Sequence, residues 1–322
     1  MFYTSLLHIT AILLVINTLR LYAECIPCQI QVRYRDISML INDESKRIEA
    51  MKRIVEELNS LLSSCGNRES SICIPTYIAT ELFRVVKRVS GIEDPYLKLK
   101  MEVNRKALNI YREAKEIISR LGRFRDRLLM AIKFSLIGNM LDTGVIDYNP
   151  PNIEDLLKKA TELNVYGDIY KALELIEDSK NIAMILDNAG EAVLDKLVGE
   201  VLKNEDKNVV AIVKGGAFQN DISINDASYA ELEKSFTKVV DTGLDASSIF
   251  FDYVRKEVLD VIEESDIIIS KGMANYEYLT EVEDLIKRPI IYMLVAKCWP
   301  VSIHSGVPLG KPAIVIHNVV KT

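Results

Sequence analysis

The sequence predicts a mixed α/β protein, in which a helical bundle precedes an open α/β domain. Between residues 30 and 141, the apolar residues recur at helical spacing, which indicates amphipathic helices. Beyond residue 179, the apolar residues instead form short, continuous runs. Continuous runs are typical of strands covered on both faces, as in a parallel sheet that lies between two layers of helices.

Residues that interrupt helices divide the first part of the chain. Breaks are expected at residues 63–67 and 91–95, and the paired prolines within residues 149–151 prevent a helix from continuing. Helices are expected again at residues 153–163 and 170–176. We therefore predict a helical domain over residues 21–178.

The second part of the chain alternates apolar runs with helical patterns. One such helical pattern follows the first run, where Val193, Leu197 and Val201 share an apolar face. We therefore predict an α/β domain over residues 179–322. Its strands are expected at residues 182–186, 209–213, 239–240, 267–269, 290–296 and 313–316.

The overall charge argues against a nucleic-acid partner. The chain has 40 Lys and Arg residues against 46 Asp and Glu residues, which gives a net charge of -6. It contains no basic run comparable to a nucleic-acid-binding arm. Long-range attraction to a phosphate backbone is therefore weak.

Residues 2–19 form an apolar run without Asp, Glu, Lys or Arg, at the lower length limit for crossing a bilayer. The run lacks a basic start and a small-residue cleavage pattern. Residues 1–20 are therefore interpreted as a leader that results from a start site placed too far upstream, with a membrane anchor as the alternative. The expected location is cytoplasmic, or membrane-anchored if the apolar run is real.

Polar residues follow almost every predicted strand. Ligands of open α/β sheets bind beyond the carboxyl ends of the strands, so these residues are candidates for a binding site. Any one of them could simply cap a helix or form a turn, but five such groups on one edge of a sheet favour a function. They are Asp187-Asn188, Lys214-Gly215, Asp241-Thr242-Gly243, Ser270-Lys271-Gly272 and Lys297.

The residue types at this edge predict metal-assisted phosphate chemistry. Asp187 and Asn188 offer a carboxylate and an amide oxygen, and Asp221 adds a second carboxylate after the next strand. Hard cations such as Mg²⁺ and Mn²⁺ prefer oxygen ligands of this kind. Lys271 and Lys297 are placed to meet phosphate charge, although each could equally be a lysine in a salt bridge. The sequence therefore predicts a metal-dependent phosphatase.

Several short motifs resemble those of the damage-control phosphatases, formerly domain of unknown function 89. The resemblance covers nearly the whole chain from about residue 21, and Cys25-x-x-Cys28 is typical of archaeal members. The motifs are LIGNMLDTG at 136–144, ILDNAGE at 185–191, KGGAFQND at 214–221, DTGLD at 241–245, SKGMANYE at 270–277 and AKC at 296–298.

This resemblance implies a helical domain packed on a Rossmann-like, three-layer α/β domain, with the active site between them. It implies hydrolysis of small phosphorylated metabolites, including sugar phosphates, supported by Mn²⁺, Mg²⁺, Co²⁺ or Ni²⁺. Asp187 and Lys271 are the expected catalytic residues. The expected metal ligands are Asp187, Asn188 and Asp221, and the expected substrate side of the cleft comprises Asn139, Asp142, Lys271, Asn275 and Lys297.

Two other enzyme classes share parts of this pattern. Residues 142–144 and 241–243 both read Asp-Thr-Gly, as in aspartic proteases, but that chemistry requires an all-β body. A haloacid-dehalogenase-like phosphatase would use Asp187 as a nucleophile, with a second acid two residues later, where this chain has Ala189. Dinucleotide binding expects a glycine-rich turn after the first strand, which this chain lacks.

The cysteines suggest a different kind of site. Cys25 and Cys28 have metal-ligand spacing, and Cys65 and Cys73 could complete a four-thiolate zinc or iron–sulfur site. A disulfide is the alternative, and Cys298 is interpreted as a packed core thiol. A non-catalytic, metal-stabilised binding module is therefore the competing function.

Overall fold

In a computed structural model, residues 18–65, 72–138 and 153–319 are described. The regular structure in the first two ranges, residues 18–65 and 72–138, is helical, as the apolar periodicity predicts. Helix α3 starts with a proline in its first turn and ends at Gly91, which adopts a left-handed conformation with φ 69°. The helices are α1 (Cys25–Leu40), α2 (Glu44–Cys65), α3 (Pro75–Ser90), α4 (Leu97–Ser119), α5 (Phe124–Gly138) and, after residue 152, α6 (Ile153–Thr161).

A seven-stranded sheet follows, in the order β1-β7-β6-β5-β2-β3-β4. Strands β2 to β6 are parallel where they pair, and β7 runs antiparallel to β6. The mixed α/β fold class with a mostly parallel sheet is thus confirmed. The strands are β1 (Tyr166–Gly167), β2 (Asn181–Ile185), β3 (Asn208–Val213), β4 (Lys238–Asp241), β5 (Ile267–Lys271), β6 (Ile290–Val295) and β7 (Pro312–His317).

Helices connect these strands on both faces of the sheet. They are α7 (Ile169–Asp178), α8 (Glu191–Lys203), α9 (Ile224–Ala227), α10 (Lys256–Glu264), α11 (Met273–Leu279) and α12 (Trp299–Ser305), with single 3₁₀ turns at Leu232–Lys234 and Glu283–Leu285. None of the helices in the described ranges is long and apolar enough to span a membrane.

Alternate residues of each central strand enter two different hydrophobic cores. In β2, Ile182 and Met184 pack with α4, α5 and α8, whereas Ala183 and Ile185 pack with α10 and α11 on the opposite face. Both faces of the sheet are therefore covered, which explains the continuous apolar runs. A third, smaller core lies among α1, α2 and α3 and includes Phe83.

Helix α8 is buried along almost its whole length. It lies between the sheet and the pair α4 and α5, so even Asp195 and Lys196 are shielded from solvent. The early helices thus share a core with the later sheet. The division of the chain at residue 178 stays a prediction.

The close packing of α8 generates a stability prediction at Gly199. A Cβ atom there would lie 2.8 Å from the Phe236 ring and 2.9 Å from the Ser235 carbonyl oxygen. Helix propensity alone would make Gly199→Ala stabilising by about 1 kcal/mol. We expect instead a loss of about 1–3 kcal/mol in the free energy of unfolding, measured in urea, because the core is overpacked.

The matched control is Gly122→Ala, where nothing lies within 4 Å of the added Cβ. This variant should unfold within about 0.5 kcal/mol of the parent protein. A Gly199→Ala protein that is as stable as the control would contradict the tight packing of α8.

Candidate metal and phosphate site

The candidate site lies where the order of the strands reverses. From β2 the chain continues outward to β3 and β4, then returns to place β5 on the other side of β2. The connections that follow β2 and β5 therefore diverge, which leaves a crevice at their carboxyl ends. Asp187 follows β2, and Gly272 follows β5.

Backbone pairing joins the segment after β2 to the segment after β3. The Ile222 N–H donates to the Asp187 carbonyl at 2.8 Å, and the Ala189 N–H donates to the Asn220 carbonyl at 2.8 Å. Asn188 and Asp221 thereby form an isolated antiparallel bridge. The structure thus brings Asp187, Asn188 and Asp221 together, each no more than 8% exposed. Their metal binding stays a prediction.

Gly272 allows the close approach of strand β5 to Asp187. Its φ is 79°, and an added Cβ would lie 2.0 Å from Oδ2 of Asp187. A side chain at this position would therefore displace the carboxylate. The glycine is required both for its left-handed conformation and for the space that it leaves.

The carboxyl groups of the site repel one another when they are ionised. Burial raises the pKa of Asp187 well above its usual value, and the nearby Asp221 and Glu191 raise it further, while Lys214 and Lys297 oppose the shift. Nζ of Lys214 lies 3.4 Å from Oδ2 of Asp221. A divalent cation would offset this charge, and two carboxylates beside an amide oxygen suit a hard ion.

The orientation of Asn188 fits that role. Its Nδ2 donates to Asp187 at 2.9 Å and to Glu191 at 3.1 Å. Because both partners are carboxylates, the amide nitrogen must face them, and Oδ1 is the atom available as a ligand. Within the described residues, no group of three or more His, Cys, Asp or Glu side chains is placed to hold an ion.

Lys271 is fully buried within a network of charges. Its Nζ lies 3.0 Å from Glu191 and 2.9 Å from Asp195, and it donates to Oγ of Ser135 at 2.5 Å. Lys271 therefore connects to Asn188 through Glu191. Burial raises the pKa of Asp195 to about 6, and Lys271 counteracts this shift. Contact between Lys271 and phosphate stays a prediction.

The sequence reasoning missed Glu191 and Asp195, although a signal was present. Ile267 and Ile269 face the core that contains α8, so Lys271, two residues later, faces it too. Glu191 and Asp195 lie one turn apart on α8 and can therefore meet the same lysine.

Of the predicted substrate residues, Asn275 and Lys297 lie within the described ranges. Asn275 is buried, its Nδ2 donates to the Lys271 carbonyl at 2.9 Å, and its Oδ1 accepts from Ser248 at 2.9 Å. Lys297 follows β6 and lines a cavity of about 500 Å³. Asn139 and Asp142 lie outside the described residues, and all four substrate roles stay predictions.

The remaining alternatives are resolved by the fold and by one disulfide. An aspartic protease is excluded because the body is α/β, and Asp241 instead accepts a hydrogen bond from Arg255 at 2.5 Å. Cys65 and Cys73 form a disulfide, so the predicted four-thiolate site is wrong, because a bonded pair offers no thiolate to a metal. Cys25, Cys28 and Cys298 are free thiols.

An α/β fold with a buried polar cluster at the switch point of its sheet is typical of enzymes that bind small ligands there. Residues 21–312 match the model of the damage-control phosphatase ARMT1-like domain. The chain belongs to this family, which confirms the resemblance found in the sequence motifs.

Individual relatives agree with this assignment. The chain is 33% identical to an uncharacterized protein of Methanocaldococcus jannaschii, over 91% of this chain and 94% of that protein. It is 31% identical to a damage-control phosphatase of Archaeoglobus fulgidus, over 89% and 95% of the two chains. A crystal structure of a DUF89 family protein from Pyrococcus horikoshii matches with a TM-score of 0.75 and 28% identity, over 92% of this chain and 98% of that one.

The approach of Gly272 to Asp187 generates a second prediction. We expect Gly272→Ala to abolish phosphatase activity, because the added Cβ displaces the Asp187 carboxylate. The change also strains the backbone, because φ 79° and ψ 168° at residue 272 lie in a region that is essentially restricted to glycine. Activity on a phosphate ester and thermal unfolding measure the two effects separately.

Gly306→Ala is the matched control. Gly306 has a similar φ of 69°, but nothing lies within 4 Å of its added Cβ. This variant should lose about 1–2 kcal/mol of stability through left-handed strain and keep its activity. Equal activity in both variants would show that the space beside Asp187 is not needed.

Proposed function

We propose that this protein is a metal-dependent phosphatase that hydrolyses phosphate monoesters of small metabolites, such as sugar phosphates. The backbone pairing that joins Asn188 to Asp221 carries the proposal, because it gathers three oxygen ligands at the switch point of the sheet. Membership of a phosphatase family supports the same reaction. Mn²⁺, Mg²⁺, Co²⁺ and Ni²⁺ are the proposed activating ions.

The residues of the chain have distinct tasks in this proposal. Asp187 and Asp221 supply carboxylate oxygens at a buried point, and the amide nitrogen of Asn188 donates to Asp187, which leaves Oδ1 as its ligand atom. A divalent ion bound there would polarise the P–O bond and lower the pKa of a bound water. Lys297, whose charge reaches Asp187, is proposed to meet the phosphate from the cavity side.

We propose that Asp187 is a metal ligand and not a nucleophile. A haloacid-dehalogenase-like mechanism needs a second acid two residues later, and that position is Ala189, whose N–H is bound to the Asn220 carbonyl. The surroundings of Asp187 instead offer a second carboxylate from Asp221, across the bridge. This arrangement favours attack by water and no covalent phospho-enzyme.

Metal removal and a single substitution test the proposal. Chelated protein should be inactive on a panel of phosphate esters and regain activity when Mn²⁺, Mg²⁺, Co²⁺ or Ni²⁺ is added. Asp187→Asn should lower the metal-restored activity by roughly 100-fold or more, since even an outer-shell partner of a metal contributes 10–100-fold. The measurement is kcat/KM at saturating metal.

Asp260→Asn supplies the control, because Asp260 forms an exposed ion pair with Lys256. Its activity should match that of the parent protein. Activity that survives chelation, or an Asp187→Asn variant as active as the control, would refute the metal site. A trapped aspartyl-phosphate on Asp187 would establish the nucleophilic mechanism instead.

Lys271 is proposed to act on the metal site indirectly. Lys271 forms an ion pair with Glu191, and Glu191 accepts a hydrogen bond from the side-chain amide of Asn188. Removing the lysine would leave Glu191 and Asp195 as buried charges without their cation. Asn188 would then lose the partner that fixes its orientation.

The Lys271→Met variant separates this positioning role from phosphate contact. We expect its affinity for Mn²⁺, measured by calorimetry, to fall about 10–100-fold, while inorganic phosphate still inhibits at saturating metal. Glu191→Gln should also weaken Mn²⁺ binding. It should disturb folding less than Lys271→Met does, because it leaves no buried charge without a partner. Lys256→Met, at an exposed ion pair, is the control. Unchanged Mn²⁺ affinity with lost phosphate inhibition would assign Lys271 to the substrate.

A further inference from the structure

A cavity of about 500 Å³ lies beside the candidate metal and phosphate site. Lys297 lines it, and the charge of Lys297 opposes the rise that burial and nearby carboxyl groups cause in the pKa of Asp187. Met273 also lines it, accepts a hydrogen bond from the Lys297 N–H at 3.1 Å, and directly follows Gly272, which abuts Asp187. The volume falls in the range of roughly 300–1,000 Å³ that is usual for small-molecule sites, so the cavity has room for more than a phosphate group.

Much of the lining is apolar, and part of it is exposed. Trp299 and Leu309 are 59% and 40% exposed, and Phe218 and Pro300 lie in the same lining. Trp299 is the single tryptophan of the chain and begins α12, two residues after Lys297. An exposed indole at a cavity wall offers a large, flat apolar surface that a ligand can cover.

Two polar groups of the lining have no partner among the described residues. Thr76 is 2% exposed, and its Oγ1 forms no hydrogen bond there. Glu277 forms no hydrogen bond or ion pair with any described residue, and burial alone raises its pKa to about 7. A buried polar atom without a partner is unfavourable, so the cavity favours a ligand that hydrogen-bonds to these groups.

We propose that this cavity binds the organic group of the phosphate ester, and that Trp299 and Thr76 select a group with an aromatic ring and a hydroxyl or amino substituent. This inference rests on the proposed phosphatase function and names the part of the substrate that lies away from the metal. With the phosphate at Lys297, the ring would stack on the indole of Trp299. The substituent would donate a hydrogen bond to Thr76 or to Glu277.

The remaining contacts of the lining favour an aromatic group over a polyol. The Gln29 amide donates to the Pro75 carbonyl at 3.4 Å, and the Ser247 hydroxyl donates to the Thr76 carbonyl at 2.8 Å. These side chains of the lining are therefore already engaged with the main chain. Several hydroxyl groups of a polyol would compete for the few polar groups that remain, whereas a ring needs mainly apolar contact.

The emission of Trp299 tests ligand binding without turnover. Because the chain has one tryptophan, its fluorescence reports on this cavity. Protein supplied with Mn²⁺ is titrated with 3-hydroxybenzylphosphonate, whose P–C bond a phosphatase does not hydrolyse, and with methylphosphonate. We expect a saturable change in emission with the aromatic phosphonate and none with methylphosphonate. Thr76→Val should weaken binding of 3-hydroxybenzylphosphonate about 5–10-fold more than that of benzylphosphonate, because only the former offers a hydroxyl group.

Steady-state kinetics test the selection by Trp299. Trp299→Ala should lower kcat/KM for benzyl phosphate about 10-fold more than for glycerol 1-phosphate, since only the first ester stacks on the indole. Both probes are alkyl esters, so their leaving groups are similar. Trp299→Phe should recover most of the selectivity, because it keeps an aromatic face. Tyr170→Ala, which removes an exposed aromatic side chain outside the cavity, is the control and should leave the ratio unchanged.

The outcomes separate this inference from the proposed function. Equal losses on the two esters in Trp299→Ala, or a parent protein that prefers glycerol 1-phosphate, would overturn the selection of aromatic groups. Hydrolysis of both esters with no change in emission on adding the aromatic phosphonate would overturn it as well, while the phosphatase function stands. Saturable binding of the aromatic phosphonate without metal-dependent hydrolysis of any ester would refute the phosphatase function and support the ligand class of the cavity.

Discussion

The short backbone pairing between residues 187–189 and 220–222 is the constraint on which the candidate site depends. Two strand ends of a parallel sheet lie close together, but their side chains diverge unless the following segments are joined. Here the hydrogen bonds of Asp187 and Ala189 join them, with Asn188 opposite Asp221. The relative positions of Asp187, Asn188 and Asp221 are thereby set by main-chain bonds, which are less adaptable than side chains.

Polar contacts from the helical part hold this pairing in place. Asn104 of α4 accepts the Gly190 N–H at 2.6 Å, and Lys100 of α4 contacts Asp226 at 2.6 Å. Asp226 in turn caps the turn that begins at Ser223, directly after the paired segment. Buried charges of this kind add little net stability, but they are costly to break, so they specify one arrangement. The helices thus support the site as well as the core.

Much of this organisation was predictable because it follows from simple periodicities. Continuous apolar runs locate β2 to β7, the positions just after two predicted strands locate Asp187 and Lys271, and the segment that follows β3 contains Asp221. Strand β1 was missed because two residues carry no periodic signal. The pairing of Lys271 with Glu191 and Asp195 depends on tertiary contacts between distant parts of the chain. Local patterns contain no information on such partners.

The complete enclosure of α8 limits how this protein can evolve. A single inserted or deleted residue in this helix would rotate its far side by about 100° relative to the rest. Such a rotation would disturb the core and turn Asp195 away from Lys271 at the same time. Substitutions are easier to accommodate at the cavity that Lys297 lines, because Trp299 and Leu309 there are exposed.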